Sequence, residues 1–235
     1  RLYVAIVTEL PPDQELIADK TARDSRLVFQ DSFELWINPY RKTEEGWKAG
    51  GTYFQTMGIA NGTMYDAKFT GKEAPDTGWD GDWTFANGIH KDVTDGPAWA
   101  QRHGVWVAEL SIPFTELGWQ GDPVGRSIGV QICRNFKRAH GWKQPTWFPH
   151  DGSFVSWFEY PQIKLTRNAP SVQIERLGEN VLNGEIDLRA RIYNPGPARR
   201  AKVDLVISSS DMPGLEDSKT LDLPAGAAAV YEYKV

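Results

Sequence analysis

The stretch QDSFELWINPY places a carboxylate beside a large flat ring. Side chains of a β-strand alternate between its two faces, so Phe33, Leu35 and Ile37 predict one side that faces a core. Glu34 and Trp36 then share the other side. A carboxylate next to an aromatic ring can hydrogen-bond hydroxyl groups and cover apolar C–H patches, and sugars offer both. This pair is therefore the first candidate for chemistry.

Two other predicted strands carry polar side chains that could join this pair. Gln55 lies in TYFQTMG, and Arg134 lies near the end of IGVQICRNF. Polar groups on a half-buried sheet face need hydrogen-bond partners, which the hydroxyl groups of a sugar can supply. A purely structural interpretation stays open, with Glu34 in a salt bridge, Trp36 as a core ring and Arg134 paired with an internal carboxylate.

An aspartate-rich loop, DTGWDGDW, offers a second kind of chemistry. Asp76, Asp80 and Asp82 supply oxygen ligands within a glycine-containing stretch, which suits calcium. The twelve-residue EF-hand loop with its closing Glu is absent. The alternative is a solvated acidic turn packed by Trp79 and Trp83.

Signatures of common enzymes are missing from the sequence. It has no Gly-x-Ser-x-Gly, no His-Glu-x-x-His and no glycine-rich phosphate loop. A glycosidase needs two carboxylates beside a cleft, and the 31 acidic residues single out no such pair. The single cysteine, Cys133, excludes an internal disulfide and alternates with apolar residues like a buried side chain.

The composition narrows the classes of partner. The net charge is −5 without a basic run, which disfavours nucleic acid, and the longest apolar runs are too short to span a bilayer. Ten of the 235 residues are Trp, which favours binding to glycans. The chain opens inside an apparent strand, so we expect Arg1 not to be a natural start.

Alternating patterns and turn signals predict an all-β protein of two domains. Residues 1–167 read as a twisted antiparallel β-sandwich, jelly-roll-like, with long loops. Residues 168–235 contain no Trp and about five short alternating strands, a pattern typical of a smaller immunoglobulin-like β-sandwich that is either incomplete or a minimal variant.

Several stretches in order resemble one family. They are LYVAIV, QDSFELWINP, TYFQ followed by NGTMYDA, WDGDW, WVAELSIPFTELG followed by GVQICRN, and PTWFPHDGSF. Together they resemble the carbohydrate-binding module family 9-like domains of the DOMON-like β-sandwich superfamily, over residues 1 to about 166. The resemblance implies a non-catalytic module attached to secreted or cell-surface bacterial glycan-degrading enzymes, with further domains, structural calcium and a polysaccharide or oligosaccharide partner.

The resemblance also implies a binding site in which two Trp rings enclose a terminal sugar. The family's Glu corresponds to Glu34, and its Arg corresponds to Gln55. The first Trp position is occupied by a valine here, while Phe154 or Trp157 matches the second and Asp151 lies near the family's Asn. The location of the site is thus implied, but the sugar is not.

Three other functions remain open at this stage. The chain could be a catalytic domain or fragment of a glycoside hydrolase or polysaccharide lyase, or a structural spacer between domains. Some DOMON-like domains hold haem through Met and His, and Met57 and Met64 with His90 or His103 are the corresponding candidates.

Overall fold

The structure is a computed structural model that divides into two compact units, Arg1–Leu165 and Thr166–Val235. This division falls close to the boundary at residue 167 expected from the sequence. The residues it describes are 1–13, 15–39, 51–71, 74–94, 98–138, 141–148, 160–177, 186–207 and 215–234.

The first unit is built from short strands and long connections. Its strands are β1 (Leu2–Glu9), β2 (Ser32–Asn38), β3 (Thr52–Ile59), β4 (Met64–Thr70), β5 (Thr84–His90), β6 (Val105–Ile112), β7 (Ser127–Arg138), β8 (Gly141–Lys143) and β9 (Gln162–Lys164). A 3-10 helix, Leu27–Phe29, precedes β2, and helix α1, Ala98–His103, precedes β6.

These strands form two antiparallel sheets. The smaller sheet has the order β1-β6-β5. The larger has the order β4-β3-β2-β7-β8, and β9 pairs with β7. One hydrophobic cluster contains residues of both sheets, so the sheets pack face to face. The all-β antiparallel sandwich predicted from the sequence is confirmed.

One side of β2 faces the core between the sheets, as the alternation of its residues predicted. Phe33, Leu35 and Ile37 are fully buried in the cluster between the sheets, together with Trp106. Burying each such aliphatic or Phe side chain stabilises the fold by about 1.5–3 kcal/mol. Gly58 lies opposite Phe33 in β3, and a Cβ there would overlap the Phe33 ring, so the close packing requires a residue without a side chain.

The opposite face of the larger sheet is buried as well. On it Trp36, Tyr53, Phe69 and Tyr160 form an aromatic cluster, in which the Tyr53 and Phe69 rings stack with centroids 4.7 Å apart. We call this face, which carries Glu34 and Trp36, the outer face. Every residue of β2 is buried, so each polar group on its outer face must find a partner within the protein or a ligand.

The second unit is a smaller two-sheet arrangement. Its strands are β10 (Ser171–Leu177), β11 (Asp187–Asn194), β12 (Arg199–Ile207), β13 (Leu215–Leu223) and β14 (Ala227–Lys234). One sheet has the order β10-β11-β14, and the other is the β12-β13 hairpin. Leu188, Ile192 and Tyr231 of the first sheet share a hydrophobic cluster with Leu223 of the second. Its relation to immunoglobulin-like domains stays a prediction.

Among the described residues, no helix has the length and apolar character needed to cross a membrane.

Candidate ligand-binding face of the larger sheet

Glu34 lies at the centre of the outer face because β2 is flanked by β3 and β7. Its direct neighbours across the sheet are Met57 in β3 and Cys133 in β7. Trp36, two residues further along β2, pairs with Gln55 in the same way. The antiparallel register therefore brings together Glu34, Trp36 and Gln55, as the sequence predicted.

The carboxylate of Glu34 accepts hydrogen bonds from four neutral N–H groups. Trp36 Nε1 and Gln55 Nε2 donate to Oε1 at 2.7 and 2.6 Å. Asn135 Nδ2 and Gln144 Nε2 donate to Oε2 at 3.3 and 2.9 Å. We call these five residues the Glu34 network. It ties together β2, β3, β7 and the segment after β8.

Burial is the dominant influence on the charge of Glu34. The residue is only 2% exposed, and removal of water raises the pKa of its carboxyl group. The four donors oppose this effect, but none of them carries a charge. The carboxylate also helps to raise the pKa of the Cys133 thiol, which burial keeps protonated. Glu34 is therefore hydrogen-bonded within the described structure, in place of the salt bridge considered for it.

One polar atom of the network is left without a partner. Asn135 gives both hydrogens of its amide away, since Nδ2 also donates to Ser32 Oγ at 2.9 Å. Within the part of the chain that the structure describes, its buried Oδ1 has no hydrogen-bond partner. A buried acceptor without a donor costs about 1–3 kcal/mol, so a hydroxyl group placed here would be stabilising.

Two aromatic residues in the segment after β8 are exposed. Trp147 is 58% exposed and Phe148 is 46% exposed, and we call them the aromatic rim. Gln131 of β7 holds Phe148 at both backbone groups, donating to its carbonyl at 2.9 Å and accepting from its N–H at 3.2 Å. Trp147 N–H donates to the carbonyl of Ile132 at 2.8 Å. The rim is thus fixed to the strand that also carries Asn135.

Arg134 is not part of this site. It pairs with Phe33 and so lies on the core-facing side of β7. Its guanidinium group packs on the rings of Trp106 and Phe136, with Cζ 4.9 and 4.4 Å from their centroids. Burial lowers its pKa to about 10, and Nη1 donates to the carbonyl of Ser32 at 3.1 Å. No described carboxylate forms an ion pair with it, in contrast to the pairing considered from the sequence.

The sequence predicted that Glu34, Trp36 and Gln55 lie together, and the structure places them side by side, while their role towards a ligand stays a prediction. Gln144 and Trp147 were not among the candidates from the sequence. The pattern KQPTWF gives no periodicity that would place these two beside a strand over a hundred residues earlier. Three further candidates from the resemblance, Asp151, Phe154 and Trp157, lie outside the described residues.

The aspartates of the DTGWDGDW loop do not converge on one point. Asp76 closes a turn by accepting from the N–H of Gly78 at 3.2 Å. Asp82 forms an ion pair with Arg1 at 3.6 Å. Asp80 points elsewhere, towards two aspartates distant in sequence.

Those two are Asp24 and Asp66, and with Asp80 they place carboxylate oxygens within 4.8 Å of one another. Arg23 already pairs with all three members of this group. Its guanidinium donates to Asp80, reaches Asp66 Oδ1 at 2.6 Å and lies 3.8 Å from Asp24. The donor set suits a cation, but calcium would have to displace the side chain of Arg23.

The candidate haem ligands are also separated. Met57 lies in a cluster with Leu27 on the outer face, whereas Met64 belongs to the core between the sheets. His103 Nδ1 lies 2.9 Å from Glu9, and His90 is exposed at the end of β5. The four side chains do not form a pair of axial ligands across one cavity.

We predict that Glu34→Ala destabilises the first unit by about 2–4 kcal/mol. The substitution leaves three buried N–H donors and the partly buried one of Gln144 without their acceptor, and each such loss is costly. Urea unfolding measures the change in the free energy of unfolding. Glu109→Ala, at an exposed position of β6, is the matched control and should change it by less than about 0.5 kcal/mol. Equal effects of the two substitutions would show that the network contributes no stability.

A second prediction concerns pH. Because the pKa of Glu34 is raised in the folded state, the folded protein keeps its proton at pH values where the unfolded chain has lost it. Stability therefore falls as pH rises from the ordinary pKa of 4.5 through the raised value. Glu34→Gln removes this dependence, so the wild type should gain stability relative to the variant as pH falls over that window. The free energy of unfolding of both proteins is measured by urea unfolding across this pH range. If the difference between wild type and Glu34→Gln does not change with pH, the pKa of Glu34 is not raised in the folded state.

The third prediction tests the role of Arg23. In Arg23→Gln the three carboxylates lose their cation, so we expect a melting temperature lower by about 2–4 °C in EDTA and recovered by calcium. Wild type should melt at the same temperature in EDTA and in calcium. Arg200→Gln, which breaks an exposed ion pair with Asp222, is the control and should not respond to calcium. A calcium-dependent rise in the wild type would show that the ion displaces Arg23.

Comparisons with known proteins add little to this geometry. No family model and no curated protein matches the chain. Among solved structures, a candidate carbohydrate-binding protein from Bacteroides uniformis is similar with a TM-score of 0.48 and 11% identity, over 69% of this chain and 71% of that one. A similarity of this size assigns neither a family nor a ligand to the chain.

Proposed function

We propose that this chain is a non-catalytic carbohydrate-binding module of a secreted or cell-surface bacterial protein that degrades glycans. The observation that carries the proposal is the aromatic rim, Trp147 and Phe148, exposed a few residues after Gln144 of the Glu34 network. The rim offers flat apolar rings, and the network offers amide groups a short distance along the same segment through Gln144. Polysaccharide is the ligand class that uses both kinds of surface.

The position of the rim supports a binding role for it. Large aromatic side chains usually bury most of their area, whereas Trp147 leaves more than half of its surface in contact with solvent. Its backbone is nevertheless held by a ladder bond to β7, and that of Phe148 by two bonds to Gln131. Because the backbone that carries these exposed rings is already ordered, binding a sugar requires no further ordering of the main chain.

The Glu34 network is difficult to explain by stability alone. Replacing a buried polar cluster by apolar side chains of similar size is often neutral or stabilising. The outer face already contains an aromatic cluster that could extend over Glu34 and Gln55. The chain instead keeps a carboxylate and three amides there, one with an unsatisfied oxygen on Asn135. Such preorganised polar groups are typical of ligand sites.

The geometry assigns different parts to Glu34 and to the rim. The carboxylate has all four bonds supplied by the protein and is only 2% exposed, so a sugar hydroxyl could reach it only by replacing a donor. Gln144 is the donor in the segment that also carries the rim. In this proposal the rim contacts the sugar, Gln144 and Gln55 present polar groups, and Glu34 orients both amides.

The test is affinity electrophoresis against plant and algal polysaccharides, with and without calcium. For any polysaccharide that binds, Trp147→Ala should weaken binding about tenfold or more, as expected for loss of a central aromatic contact. Its melting temperature should stay near that of the wild type because the ring is exposed. Trp157→Ala tests in the same way the aromatic residue that the family resemblance indicates.

Tyr3→Ala is the matched control, because Tyr3 is 74% exposed on β1 of the other sheet. It should leave binding unchanged. Equal retardation of wild type and Trp147→Ala would remove the rim from the site. Failure to bind any polysaccharide would favour a structural spacer, and release of reducing sugars by the purified chain would contradict a non-catalytic role.

A further inference from the structure

A cleft of about 470 Å³ opens at one end of the first unit, away from the outer face. This volume falls within the ~300–1,000 Å³ typical of small-molecule sites. The end of β1, the end of α1, and the β7-β8 hairpin surround it. We call it the cationic cleft; its lining includes Glu9, Pro12, Arg102, Phe136, Arg138 and Lys143.

Positive charge exceeds negative charge in the described lining. The lining contains three basic side chains, Arg102, Arg138 and Lys143, and one carboxylate, that of Glu9, while Arg138 is also paired with Asp31 behind the wall. Glu9 is engaged by His103 Nδ1 at 2.9 Å and by Arg102 at 3.9 Å. Lys143 is exposed and forms no ion pair with the parts of the chain that the structure describes. The cleft therefore attracts an anionic group.

Arg138 is held rigidly at the wall of this cleft. Its Nη1 donates to both oxygens of Asp31, at 2.8 and 2.7 Å, and Asp31 is fully buried. Backbone N–H groups of Ile17 and Lys137 also donate to Asp31, at 2.8 and 3.1 Å. Within the described residues the Nη2 of Arg138 has no hydrogen-bond partner, but it is closed off from solvent. Arg138 therefore forms a fixed part of the wall, and Asp31 balances its charge.

The remaining walls suit a small ring with apolar patches. Phe136 and the Leu10–Pro12 segment contribute apolar surface. Gly141 pairs with Arg138 across the hairpin, and a Cβ at Gly141 would meet nothing within 4 Å. The absence of a side chain here leaves space beside the guanidinium group. Lys143 pairs with Phe136 in the same hairpin, so its charge lies on the same side of the ladder.

We propose that the cationic cleft binds a hexuronic acid unit, its carboxylate near Lys143 and its ring against Phe136 and the prolines. This site is separate from the rim and the Glu34 network, but the choice of a sugar acid rests on the carbohydrate-binding function proposed above. The class follows from the combination of the exposed cation of Lys143 and an apolar wall in a cleft of small-molecule size.

Calorimetric titration with free galacturonate and glucuronate, using galactose and glucose as neutral partners, tests this assignment. At least one uronate should bind tenfold or more tightly than its neutral sugar, and its affinity should fall as salt is raised. Lys143→Gln should weaken uronate binding about fivefold, as expected for loss of one charge in a partly exposed pair. Lys164→Gln, at an exposed lysine on β9, is the matched control.

The outcomes separate this site from the rim. Uronate binding that Lys143→Gln weakens, but Lys164→Gln and Trp147→Ala do not, supports the cationic cleft. No uronate binding, equal binding of uronate and neutral sugar, or equal effects of the two lysine substitutions overturns the proposal. Polysaccharide binding at the rim is measured in a separate experiment. Either result can therefore be positive when the other is negative.

Discussion

The removal of the Glu34 carboxylate from water is the constraint on which the larger sheet depends. A buried charge is costly unless hydrogen bonds replace its hydration, and here four neutral donors from β2, β3, β7 and the segment after β8 do so. A slip of one residue between β2 and a neighbouring strand would move a donor to the other face and leave the charge unsatisfied. The polar network therefore specifies the register of the sheet, in addition to any role towards a ligand.

This constraint separates the residues that support the site from those that can contact a ligand. Of the four residues that donate to Glu34, Trp36, Gln55 and Asn135 are buried and Gln144 is partly buried, and their bonds to the carboxylate cannot easily be given up to a ligand. Trp147 and Phe148 are exposed, yet their backbones are fixed to β7. Rigid elements beneath exposed contact residues are the arrangement expected of a binding surface on a β-sandwich. The same logic holds at the cationic cleft, where buried Asp31 fixes Arg138.

The alternation of side chains was enough to predict the fold class and both faces of β2. The same alternation predicted that Gln55 lies near Glu34, because both residues share a face with Trp36 in an ordinary antiparallel pairing. Alternation alone could not decide between Arg134 and Asn135. They are consecutive, so one must face the core, and the choice depends on the register of β7 with β2.

Other parts of the site depend on contacts between distant segments. Gln144 reaches Glu34 across 110 positions after a hairpin whose geometry no local pattern encodes. The carboxylate group of Asp24, Asp66 and Asp80 is assembled from three segments, whereas the sequence suggested three aspartates from one loop. The composition showed an excess of Trp, but it could not predict which of these rings are exposed to solvent.

The burial of Cys133 has a practical consequence for studying the chain. It is the one cysteine among 235 residues, and burial beside Glu34 keeps its thiol protonated and out of reach of reagents. A cysteine introduced at an exposed position such as Trp147 would then be the reactive thiol of the folded protein. Fluorophores or spin labels can be attached there without first removing the native cysteine, whose replacement would disturb the packing around the network.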